Sequence, residues 1–173
     1  MTLSLYAATV PTFLQIVPSI GALCDKGAAW CAEQGVPEAE LLQARLAEDM
    51  WPFATQVRSV WLHSAGAIEG VQKGETSPDF SDPPADFASL RAGIDRAVAS
   101  LTATSPEAIN ALVGKDTCFR IGERRMDFLV EDYLLTFALP NFFFHATTAY
   151  AILRSRGLDI GKRDFLGGMK LKG

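Results

Sequence analysis

A chain of 173 residues with 49% hydrophobic content is long enough for one domain with a sizeable core. A charged fraction of 21% and a net charge of -4 leave no excess of Lys and Arg to displace the counterions of a nucleic acid, which argues against that class of partner. Three cysteines, an odd number with no CxxC pair, offer no disulfide framework.

The first segment, Met1 to Cys24, has no charged side chain. A signal peptide needs a positive start, and the first basic residue is Lys26. Leu3, Tyr6, Val10, Phe13, Val17, Ile20 and Cys24 recur by threes and fours with polar residues between them, which predicts an amphipathic helix rather than a membrane span. That helix should run from about Ser4 to Gln34, bend or break at Pro11 and Pro18, and stop at Gly35. Within it, about 1.5 Å of rise per residue separates the Cα atoms of Cys24 and Cys31 by about 10 Å, and a disulfide spans at most about 7 Å. Cys24, Cys31 and Cys118 are therefore expected to be buried, reduced thiols of a cytoplasmic protein.

After a short helical turn in "EAELLQARL", Asp49 is the expected N-cap of a second long helix striped by Phe53, Val57, Val60, Trp61, Ile68 and Val71. "KGETSPDFSDPP", residues 73 to 84, reads as a loop. A third helix follows with prolines near its first turn and a seam of Phe87, Leu90, Ile94, Val98 and Leu101.

In "DTCFRIGERRMDF" the alternation predicts a hairpin over residues 117 to 128, turning at Gly122-Glu123. A two-residue turn pairs Phe119 with Met126 and Thr117 with Phe128, and sets Arg120 opposite Arg125 on the wet face. The three arginines 120, 124 and 125 form either a solvated face or an anion site. The last long helix should span Glu131 to about Arg156, kinked at Pro140, with a tail over 158–173 anchored by Phe165 and Leu166. These elements predict one all-α domain over 1–173: a four-helix bundle with a small β-hairpin before its last long helix. Eleven Phe and three Trp are more than a core of that size needs, which predicts a homodimer.

The two histidines fall near the middle of the second and last long helices. His63 sits on a flank with Gln56, Ser59 and Gly66, and His145 on one with Asn141, Thr148 and Ala149. Two imidazoles on facing bundle helices point to a common, partly polar cavity, with Gly66, Ala67 and Ala149 leaving room. Either each imidazole is a hydrogen-bonded core residue, or the pair holds a metal, or it lines a metal-free ligand or acid/base pocket. No GxSxG, GxGxxG, P-loop, HxxxH or HExxH pattern occurs.

"ARLAEDMWPFATQVRSVW", "DYLLTFALPNFFFHATTAYAILRSRG" and "IGKRDFLG" resemble a bacterial domain-of-unknown-function family grouped with the DinB/YfiT-like proteins, a superfamily of proposed metalloenzymes. The resemblance spans essentially the whole chain and implies a four-helix bundle, often a homodimer. In the wider superfamily three histidines hold a divalent metal, zinc or nickel: one on the second helix and a spaced pair on the last. Carried over, His63 is the second-helix ligand and His145 one of the pair. The other position of the pair falls on Asn141 or Ala149, so the triad is incomplete. Relatives are associated with thiol transfer, which no residue here specifies. Two readings remain: a DinB-like enzyme using His63 and His145, or a non-catalytic dimeric bundle that binds a small hydrophobic ligand or a protein partner, with neither nucleic acid nor membrane involved.

Overall fold

The computed structural model of the chain describes residues 3–172. Helix α1, Leu5–Gln34, starts at Ser4, whose side chain accepts the Ala7 N–H, and ends where Gly35 turns left-handed at φ 66°. It runs through Pro11 and Pro18 without interruption, so of the expected bend or break the break does not occur. Val10, Phe13, Val17, Ile20 and Cys24 are all buried. By length and composition α1 is apolar enough to cross a membrane, with a mean hydropathy of 1.5 over its best window, yet 56% of that window is buried inside the fold.

Helix α2, Glu38–Leu42, is the short turn. The next helix opens later than expected: α3, Phe53–Trp61, has Pro52 and not Asp49 at its N-cap. A proline's fixed φ suits the entry to a helix, so Asp49 stays in the connecting loop. The helical path then changes winding, passing through a π-helical segment, Leu62–Gly66, into α4, Ala67–Lys73. The expected loop is interrupted by a two-residue strand β1, Glu75–Thr76. Helix α5, Phe87–Ala103, is capped by the Asp86 carboxylate accepting the Ser89 N–H, so Pro83 and Pro84 precede the helix instead of opening it. Leu90, Ile94 and Leu101 are buried as the seam predicts.

After the short α6, Pro106–Asn110, come β2, Asp116–Ile121, and β3, Arg124–Leu129. Their antiparallel register is the one read from the turn: Phe119 opposite Met126, Thr117 opposite Phe128, Arg120 opposite Arg125. Gly122 takes φ 55°, which a primed turn demands of its first residue. β1 adds to β2 in parallel, so the element is a three-stranded sheet and not a lone hairpin. Arg120 is gripped by Glu75 through two bonds of 3.1 and 3.0 Å, and Arg125 pairs with Asp127 at 2.6 Å, so two of the three arginines are partnered by carboxylates on the sheet.

The last long segment is composite: α7, Val130–Asp132, a π-helical segment Tyr133–Ala138, and α8, Leu139–Ser155. Pro140 lies at the start of α8, directly after the π-helical segment, so the winding changes where the proline removes a backbone donor. In the tail, α9, Lys162–Leu166, packs Phe165 against Tyr150 and pairs Asp164 with Lys26 at 2.6 Å. The fold is mostly helical: α1 lies along α5 and touches α8, α3 lies on α8, and Phe13 meets Phe142 edge-on at 4.9 Å in the core. All three cysteines are free and buried, and burial pushes the Cys24 thiol up to about 12.

One close approach ties α4 to the sheet. A Cβ on Gly70 would stand 1.9 Å from the Thr76 methyl and 3.2 Å from the Glu75 carbonyl oxygen. Gly70→Ala should therefore destabilise the fold by about 1–3 kcal/mol from overpacking, against about 1 kcal/mol of gained helix propensity. A thermal melt should show a lower Tm; a raised Tm would mean that β1 moves away freely.

Candidate functional site

The winding changes in the two long segments flank one region, and His63 lies inside the first of them. A π turn displaces carbonyls from their usual donors, and side chains take several of them. Ser64 Oγ donates to the Val60 carbonyl at 2.7 Å, Thr136 Oγ1 to Asp132 at 2.6 Å, and the Asn141 amide nitrogen to Phe137 at 2.7 Å.

His63 and His145 are brought together. Their rings stack with centroids 5.4 Å apart and 11° between planes. Trp51 stacks on the other side of His145 at 5.6 Å and 10°, giving the order Trp51, His145, His63. Phe137 closes on His63 edge-on at 6.0 Å, and Phe144 on His145 at 5.3 Å. His145 Nδ1 lies 2.7 Å from Gln56 Oε1, while Gln56 Nε2 donates to the Trp51 carbonyl at 3.0 Å. Because the carbonyl of Trp51 only accepts, Gln56 must present its oxygen to His145. Nδ1 of His145 therefore carries the proton and Nε2 holds a lone pair. Burial pushes both histidines down to about 4, helped at His145 by the neighbouring His63, so both rings are neutral at pH 7.

The expected common cavity is not what the stack faces. His63 opens on a cleft of about 370 Å³ bounded by the α3–α4 path, residues 76–80, Phe119 and Tyr133. His145 opens on a separate cleft of about 360 Å³ with Asn141, Gln56 and Phe144, and Trp51 lines both. Of the small residues expected to leave room, Gly66 lines the larger cleft, whereas Ala67 and Ala149 are fully buried in the core.

A metal needs ligands whose lone pairs converge about 2 Å from it. Stacked, near-parallel imidazoles aim their in-plane lone pairs along separate planes, so an ion in the plane of one ring is off the plane of the other. Ala149 has no donor, and Asn141 offers only a neutral amide oxygen, its nitrogen being bonded to the Phe137 carbonyl. Among the described residues no group of three or more His, Cys, Asp or Glu is placed to hold a metal. The donor set does not fit the three-ligand site.

Sequence reasoning did not single out Trp51, Arg58 or Phe137. Arg58 left a trace in the sequence, a lone charge in "ATQVRSVW" between the apolar positions Val57 and Val60. Trp51 precedes Pro52 outside the helix, where no periodicity places it.

A family model, that of a domain of unknown function named DUF1993, matches residues 5–166. The chain belongs to the DUF1993 family. The match covers all of the elements from α1 to α9, both histidines included. The fold of this DUF1993 chain is also similar to the crystal structure of a DinB family member from Shewanella denitrificans, with a TM-score of 0.80 and 27% identity over 98% of this chain and 95% of that one. The fold is DinB-like. No curated protein matches.

Proposed function

We propose that the chain binds a small, largely apolar molecule in the cleft beside His63. The observation that carries this is a concave site of about 370 Å³, within the size range of ligand pockets, in which a neutral imidazole and aromatic rings converge. The four long helical segments act as the bundle, with α3–α4 and the Tyr133–Ala138 turn as the walls of the site. The uncharged His63 ring offers a hydrogen bond, or a base for proton transfer, in a desolvated setting.

Chemical-shift mapping with a panel of small aromatic compounds should move the Trp51, Thr55, His63 and Tyr133 resonances together, and His63→Ala should weaken the binding. Shifts confined to the surface between α1 and α9 would refute this reading.

The metal-dependent reading has one observation in its favour, two neutral imidazoles side by side. On that reading zinc or nickel is held weakly and lost on dialysis, because the stack must open before His63 and His145 can share an ion. Stoichiometric metal retained by protein purified without a histidine tag would replace the metal-free reading with the metalloenzyme one.

The homodimer draws on exposed apolar side chains along one stretch of the last long segment: Leu135, Phe143 and Phe144, the last 57% exposed, with Trp51 nearby. Light scattering should give twice the chain mass, and Phe144→Glu should give the monomer; a monomeric parent chain counts against this. A cytoplasmic location accords with three free thiols and an α1 packed into the core.

A further inference from the structure

Arg58 lines the larger cleft from α3 and is 7% exposed. A guanidinium has five N–H donors in a planar fork. Among the described residues its one hydrogen bond runs from Nη1 to the Ser81 carbonyl. Nε is buried without a partner, and no carboxylate of the described residues lies within ion-pair distance of the group. A buried cation whose donors are unmet is costly, and such a group in a ligand cleft marks a partner that arrives from outside.

The geometry narrows what that partner is. With Nη1 taken, the remaining edge is Nε and Nη2, the side of the fork that matches the two oxygens of a carboxylate. Two carboxylates already line the cleft, and neither forms an ion pair with Arg58, although hydrogen bonds from Ser81, helped by the Arg58 charge, hold the Asp79 carboxyl below the usual range. Glu69 accepts the Ser100 hydroxyl at 2.5 Å, and Asp79 accepts the Ser81 N–H at 2.9 Å. The cleft lining also carries three aromatic rings, Trp51, Phe119 and Tyr133.

Resting on the reading of the cleft as a ligand site, we propose that its ligand is a small organic acid with an apolar body, its carboxylate held by the Nε–Nη2 edge of Arg58. Nε is out of solvent contact, so binding turns the guanidinium toward the cleft. The apolar body lies against the aromatic wall, and His63 meets it from the α3–α4 side.

The test compares two probes of the same shape, 1-naphthaleneacetate and 1-naphthaleneacetamide, by calorimetry on the full chain. The acid should bind at least tenfold more tightly than the amide, since a charge-assisted pair of bonds replaces a neutral one. Arg58→Gln should bring that ratio to about one by weakening the acid and leaving the amide unchanged. Should Arg58→Gln fail to fold, Arg58→Lys serves: it keeps the charge, loses the fork and should lose most of the ratio. Equal affinities on the parent chain would overturn the acid inference and leave the cleft reading standing. Failure of both probes to bind would overturn the cleft reading and this inference with it. A full ratio in Arg58→Lys would overturn the fork.

Discussion

Between pH 6.5 and pH 4 the folded chain is expected to lose a large share of its stability. Burial holds His63 and His145 at about 4, from an ordinary 6.5. The unfolded chain therefore takes up two protons in a window where the folded chain takes up almost none, and each proton favours unfolding. The stabilisation is fully present above 6.5 and disappears as the pH falls to about 4. A gap of that size corresponds to about 3 kcal/mol per histidine. The two are not independent, because a charge on one ring opposes a charge on the other. Together they are comparable with the roughly 5–15 kcal/mol that holds a typical domain folded. Glu75, Asp79, Asp86 and Asp164 are held below their ordinary values by hydrogen bonds, so their contribution is lost only at lower pH, through the carboxylate range. Urea midpoints at pH 7.5, 5.5 and 4.5 separate the two groups. A steep fall by pH 4.5 that is roughly halved in His63→Leu fits the histidines. A flat profile down to pH 4.5 would mean that one or both rings reach water or a counter-charge.

The pairing of these rings was only half legible in the sequence. Helical spacing put His63 and His145 on facing segments because both segments are striped at 3.6-residue period, and that much follows from Val57, Val60, Phe142 and Ile152 being buried. The hairpin was legible in full, since Gly122 dictates the turn and a period-2 pattern then fixes every pair. What periodicity cannot show is a change of winding. Each π segment advances the helical face, so a projection through Leu62–Gly66 no longer tells which side Gly66 and Ala67 take: one lines the cleft and the other enters the core. Trp51 was invisible for a related reason. It lies outside any regular element and reaches the stack through the loop before Pro52. The third-ligand position carries no histidine: Ala149 has no donor atom, and Asn141 offers only a neutral amide oxygen.

Gln56 is the residue on which the orientation of the stack depends, and Gln56→Leu should cost about 2–4 kcal/mol. It is 1% exposed and joins two groups that have no other partner among the described hydrogen bonds, the His145 Nδ1–H and the Trp51 carbonyl. Leucine is close to glutamine in shape and leaves both groups buried or half-buried without a bond, at about 1–3 kcal/mol each before relaxation. The loss also releases the tautomer. With no acceptor at Nδ1, the His145 proton is free to move to Nε2, and nitrogen NMR of the imidazole should show the Nε2–H form appearing in the variant alone. Trp51, already half exposed, should loosen from the stack, and its indole resonances should shift in the variant. A simple packing residue would show the stability loss without the tautomer change. If Gln56→Leu leaves His145 in the Nδ1–H form, a group other than Gln56 fixes the proton, and the lone pair at Nε2 is not the product of this chain of two bonds.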